Sequence, residues 1–272
     1  MKNISKKTFI YLLTGVFAFS LILSSCKKKD EPAPEIPPQS TFLMDFTFQD
    51  GDTTTTNKAL HTYGNWGYSA INVGVWNVVI TVGLAIPVAS FVEAFKHPAE
   101  YHSKDEYWTW TYDFDAWGQH TAELTGYIDA DSVIWEMRID GYLWYYGHSH
   151  TNGSGGYWML KENKTQNTNL LKIYWQRNST GVSSIKYLNV ADPTSTHYKN
   201  HGEYIEYGTV SSGEYDRFYN IFLKDDNDPT QTNLTNIEWN FTDKHGRVKD
   251  EKHFGDTEWH CWDTNLADIT CQ

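Results

Sequence analysis

Basic residues are scarce in this 272-residue chain: 22 Lys and Arg stand against 34 Asp and Glu, for a formal net charge of -12. No basic stripe is interleaved with aromatics, which excludes a nucleic-acid backbone as a partner. Cysteine is nearly absent, with three in all and no CxxC spacing, so a thiolate zinc cage is excluded. HExxH, an EF-hand loop, a phosphate-binding glycine loop, a dinucleotide fingerprint and a GxSxG elbow are all missing. No cofactor is therefore implied, and no catalytic constellation is nominated. Long apolar runs are equally rare: after the N-terminal one, only INVGVWNVVITVGLAIPVASFVEAF, residues 71–95, approaches the ~20 residues of a membrane span. Asn72, Asn77 and Pro87 interrupt it, and it reads as a buried helix at about 70–96 with a kink at Pro87.

What is present begins with Lys2, Lys6 and Lys7, an apolar run over 9–23, and Leu23-Ser24-Ser25-Cys26. Small residues ahead of a cysteine at the end of a short apolar segment resemble the bacterial lipobox, so residues 1–25 are expected to be a lipoprotein signal peptide and Cys26 the lipidated residue. The expected partner is then a membrane, reached through a lipid anchor. Loss of the three lysines with the signal moves the net charge from -12 to -15. Residues 26–40, CKKKDEPAPEIPPQS, read as the lipidated cysteine and a tether in which Pro32, Pro34, Pro37 and Pro38 favour an extended spacer. The charged cluster after Cys26 resembles the surface-export signal of Bacteroidota lipoproteins, which implies an outer-membrane lipoprotein, periplasmic or surface-exposed.

From Tyr107 onward the hydrophobic period is two. Trp108, Trp110, Tyr112 and Phe114 make one strand face, and Val133, Trp135, Met137 and Ile139 another. Eleven or twelve such strands are expected, the first over 41–48, within one domain over 41–272. Unequal spacings between the tryptophan-centred strands exclude a fixed-period propeller. The predicted fold is mainly β: a long antiparallel meander forming a strongly curved sheet or half barrel, with one apolar helix packed in its concave face. That outline is similar to periplasmic lipoprotein carriers in architecture only. The segments around Ile237-Glu238-Trp239-Asn240 and Gly255-Asp256-Thr257-Glu258-Trp259-His260-Cys261-Trp262 resemble the C-terminal end of outer-membrane and surface lipoproteins of Bacteroidota that carry no assigned activity. The resemblance implies a shared location and fold, and no reaction.

Cys261 and Cys271, outside the cytoplasm, are expected to form a disulfide. His148 and His150 flank Ser149 in what reads as a loop and form a weak metal pair whose further ligands, from His120, His245, His253 or His260, no spacing selects. Glu123, Glu136, Glu206, Asp216 and Glu238 lie near strands, where a facing pair would suit glycoside hydrolysis, although acids occupy the solvent face of most sheets. The expected role is non-enzymatic binding or structure. Two ligand classes stay open: a hydrophobic small molecule walled by Val75, Trp76, Val79, Trp108, Trp110, Trp135 and Met137, or a glycan or envelope protein held on exposed aromatic and amide side chains.

Overall fold

A computed structural model of the chain describes residues 32–44, 64–225 and 227–271. The signal peptide, Cys26 and the second half of the expected first strand lie outside them. From Tyr107 the alternation of large apolar and polar residues produces strands that pair strictly with their sequence neighbours. The result is one unclosed antiparallel sheet of fourteen strands among the described residues, curved as a half barrel. The strands are β1 (Glu100–His102), β2 (Tyr107–Asp115), β3 (Gln119–Asp129), β4 (Ser132–Ile139), β5 (Tyr142–His150), β6 (Gly155–Lys161) and β7 (Asn169–Asn178). They continue as β8 (Gly181–Asn189), β9 (Tyr204–Thr209), β10 (Arg217–Lys224), β11 (Thr232–Trp239), β12 (Gly246–Lys249), β13 (His260–Trp262) and β14 (Asp268–Ile269).

The inner face is filled by rings laid over glycines. One row crosses β2 to β6 as Trp108, Gly126, Trp135, Gly147 and Trp158, each directly paired with the next. A tryptophan beside a glycine fits a tightly curved sheet, because the bare backbone leaves room for the neighbouring indole. A methyl group added at Gly147 would sit 2.2 Å from the Trp158 ring and 2.6 Å from the Tyr157 carbonyl oxygen. Trp135, Trp158, Trp175, Trp239 and Trp262 are all fully buried.

The described N-terminal residues, 32–44, do not join the sheet. Pro34–Gln272 forms one compact unit, so the expected tether is packed from Pro34 on, with Ile36 and Pro37 buried. Gln39–Thr41 is a single 3₁₀ turn, and Phe42 to Met44 enter the concave side instead of forming a strand. Phe42, wholly buried, stacks on Trp158 with ring centroids 4.7 Å apart and meets Phe91 at 4.8 Å. The Tyr187 hydroxyl donates to the Phe42 carbonyl (2.6 Å) and accepts from the Met44 N–H (2.9 Å), and the Trp158 indole donates to Thr41 Oγ1 (3.1 Å). These bonds satisfy the backbone of an irregular segment that no ladder partner serves.

The apolar run is two helices bent by 60°, α1 (Gly64–Gly83) and α2 (Ala85–Ala94). The break falls at Leu84, ahead of Pro87. Pro87 thereby occupies the first turn of α2, where a missing N–H leaves no bond unmade. Enclosure of this segment is not observed. Ile71, Val75, Val78, Val79 and Val82, at helical spacing, are each 57–65% exposed, while Val73, Ile80 and Leu84 face inward. No single helix among the described residues is long and apolar enough to cross a membrane. α1 packs on β12, β13 and β14 and α2 on β2 and β3, so the pair straps the two ends of the sheet together.

Phe42→Ala should lower the unfolding free energy by about 4 kcal/mol, and Gly147→Ala by about 3 kcal/mol through ring displacement. Urea titrations followed by tryptophan fluorescence measure both; a Gly147→Ala change within error of zero would contradict the ring-over-glycine packing.

Candidate functional site

Three regions have the chemistry to bind or hold something: the concave interior, the C-terminal clasp and the outer sheet face. In the interior, the seven expected wall residues do not surround one space. Trp108, Trp110, Trp135 and Met137 are core, with the Trp110 and Trp135 rings 5.9 Å apart and the Tyr112 hydroxyl 3.9 Å from the Met137 sulfur. Val75 and Val79 point to solvent at 59% and 57% exposure, and Trp76 is half-buried against the core.

The clasp is built on Asp250, which sequence reasoning missed although the signal is local. Asp250 caps the short helix α3 (Glu251–Phe254), which Gly255 ends with φ 79°. Its wholly buried carboxylate accepts from the Tyr68 hydroxyl of α1 (2.5 Å), from Asn233 Nδ2 (2.9 Å), from the Thr235 hydroxyl and from the His253 N–H (3.0 Å). Burial pushes its pKa up, but the hydrogen bonds from Thr235, Tyr68 and Asn233 outweigh burial and hold the carboxyl below the ordinary range. Burial and the neighbouring carboxylate push the Tyr68 phenol well up. Nearby, Asn65 donates to Asp268 and to the Cys261 carbonyl (2.8 and 2.9 Å), and the Cys261–Cys271 disulfide closes the tail.

The histidine pair lies on a strand. β5 runs to His150 because its ladder with β4 continues past Gly147, and the turn is confined to Thr151 to Ser154. His148 stacks on Tyr157 (5.9 Å) and His150 Nδ1 bonds Ser154 Oγ (2.9 Å). His120 sits with Asp140, His253 on Tyr68 and His260 with Asp256. No group of three or more His, Cys, Asp or Glu among the described residues is placed to hold a metal. Of the five carboxylates, Glu206 faces Lys186 (3.8 Å), Glu238 takes two nitrogens of Arg247 (2.8 and 2.6 Å) and Asp216 pairs with Arg217 (3.5 Å). Glu123 and Glu136 share an open depression of about 410 Å³ on the outer face.

That outer face carries a feature no linear reading reveals. Tyr107, Tyr127, Ile134, His148, Tyr157 and Tyr174, from six consecutive strands, are direct cross-strand neighbours in one row. Tyr127, Ile134 and Tyr174 remain 42%, 38% and 39% exposed. A second groove, of about 730 Å³, borders Thr232, Leu234, Asn236, Lys249 and Lys252.

Because the carboxyl of Asp250 is depressed when folded, its contribution is complete above the unfolded pKa near 4 and is lost as pH falls through the lower folded value. Asp250→Asn should cost roughly 3 kcal/mol at neutral pH and flatten the acid limb of stability against pH, measured by urea midpoints across that limb. An unchanged acid limb would show that other carboxylates set it. No protein-family model, curated protein or solved structure matches the chain.

Proposed function

We propose that this chain is an outer-membrane lipoprotein, anchored through Cys26 and periplasmic or surface-exposed, whose β domain works by binding on the outer face of its sheet. The observation that carries the reading is the division between the two faces. Inside, Phe42 and the buried tryptophans occupy the concavity with the protein's own side chains. Outside, the tyrosine pairs Tyr107–Tyr127 and Tyr157–Tyr174 lie in one cross-strand row, joined through Ile134 and His148, with Tyr127 and Tyr174 open to solvent, and tyrosine offers contact area with one polar atom at low entropic cost. The role is non-enzymatic in this reading: Glu206, Glu238, Asp216 and Glu136 are each paired with a lysine or arginine, and the depression that Glu123 and Glu136 share is open to solvent. A second reading, contact of an apolar ligand or an envelope protein with the helix strap, is favoured by the exposed stripe from Ile71 to Val82.

Wild-type protein should partition into the detergent phase of cell extracts and Cys26→Ala protein into the aqueous phase; aqueous wild type would overturn the anchor. Hydroxyl-radical footprinting should find Tyr127 and Tyr174 protected on intact producing cells relative to the purified full chain. Equal labelling in both would overturn outer-face binding, and protection confined to Val75, Val78 and Val82 would select the helix strap instead.

A further inference from the structure

Resting on the outer-face reading, we propose that the tyrosine row is a binding strip for an extended acidic polysaccharide lying across the strands, with Lys172 and Lys186 taking its carboxylates. Six neighbouring strands at ~4.8 Å spacing make a strip about 24 Å long, enough for several consecutive sugar rings to meet several aromatic faces. The rings along it are open to solvent at Tyr127 and Tyr174. Aromatic faces receive the C–H faces of pyranose rings, and the strip presents tyrosines in two pairs, Tyr107–Tyr127 and Tyr157–Tyr174, with Ile134 and His148 between them.

The charge distribution selects an acidic chain. In a protein of net charge -12, the outer faces of β6, β7 and β8 carry Lys161, Lys172 and Lys186. Lys172 Nζ stands 4.2 Å from the Tyr157 ring centre and 4.4 Å from that of Tyr174. Among the described residues no carboxylate lies within ion-pair distance of it. Lys186 Nζ is 3.5 Å from the Tyr204 ring centre and shares Glu206 at 3.8 Å. Direct register connects the parts: Tyr157 pairs with Tyr174, Tyr174 with Lys186 and Lys172 with Leu188 beside Tyr204. Ring and ammonium therefore alternate as Tyr157, Lys172, Tyr174, Lys186 and Tyr204. Lysine stems lying on rings are ordinary packing; the head of Lys172, held between two tyrosine rings with no carboxylate at ion-pair distance among the described residues, is what makes this a surface for an anion.

The other end of the strip separates a saccharide from an acidic peptide. There the depression of about 410 Å³ is lined by Tyr107, Glu123, Thr125, Tyr127, Ile134 and Glu136. Glu136 is held by Arg138 at 3.1 Å, leaving Glu123 as an acceptor. Sugar hydroxyls donate to Glu123, whereas the side chains of an acidic peptide offer that carboxylate only another carboxylate.

Affinity electrophoresis of the full chain carrying Cys26→Ala, in gels containing polygalacturonate, dextran or polyglutamate, tests the assignment. Polygalacturonate should retard the protein, with added salt weakening the effect, while dextran and polyglutamate should not. Lys172→Gln and Tyr174→Ala should each weaken retardation roughly tenfold, with unchanged urea midpoints, and Lys104→Gln in the exposed β1–β2 turn should leave it unaltered. Equal retardation by polyglutamate would overturn the saccharide class, and retardation unaffected by both strip variants would overturn the site. Absence of retardation, with Tyr127 and Tyr174 still protected on cells, would reject the acidic saccharide and leave outer-face binding intact; loss of that protection as well would reject both.

Discussion

A sheet that does not close and, among the described residues, faces no second sheet must still remove one entire face from water, and the other features of this domain follow from that requirement. Fourteen strands present too long an inner face for one helix to cover. The chain instead fills the concavity from the sheet itself, with indoles seated over glycines of the adjacent strand, Trp158 over Gly147 and Trp262 over Gly246. Burying such side chains supplies roughly 25 cal/mol per Å² of apolar surface removed from water, and the pairing of a large residue with none keeps the curved backbone unstrained. What the rings leave open, Phe42 enters.

The helix strap solves the complementary difficulty of the two free ends. β1 has three residues and β14 two, edges too short to template another strand. α1 reaches the last strands and α2 the first, and the polar side of the attachment is concentrated in Asp250. A buried charge is tolerable there because each of its oxygens is bonded, to groups from α1, β11 and α3. At the opposite attachment the Tyr112 hydroxyl donates to the Ser90 carbonyl at 2.6 Å.

Period-two alternation made most of the strands legible from residues alone, together with their meander order and the Cys261–Cys271 bond, because each is a local or a compartment-level property. Other features were not legible, for identifiable reasons. A segment apolar on every side reads as enclosed, yet Val75, Val78 and Val79 face solvent, since hydrophobicity states a preference and packing decides which face obtains it. Phe42 and Met44 alternate as a strand would, but Tyr187 bonds the Phe42 carbonyl and the Met44 N–H in place of a ladder partner. His148 and His150 followed a glycine and so resembled a loop, while the β4 ladder carried them into β5. The tyrosine row is a property of register, and register between Tyr107 and Tyr174 exists only once six strands are aligned. Its members sit at the positions between the inward tryptophans, where solvent-facing residues draw no notice.

The Phe42 plug has a mechanical corollary. Pro34 to Met44 precede the sheet in the chain yet end in its center, so tension applied from the N-terminal side does not peel a strand off an edge, one hydrogen bond at a time. It loads the Tyr187 and Trp158 bonds and the stacked Phe42 ring together, in shear, within the buried core. Resistance to such a pull is set by the interior, and the force that finally extracts the plug would unseat the fold with it.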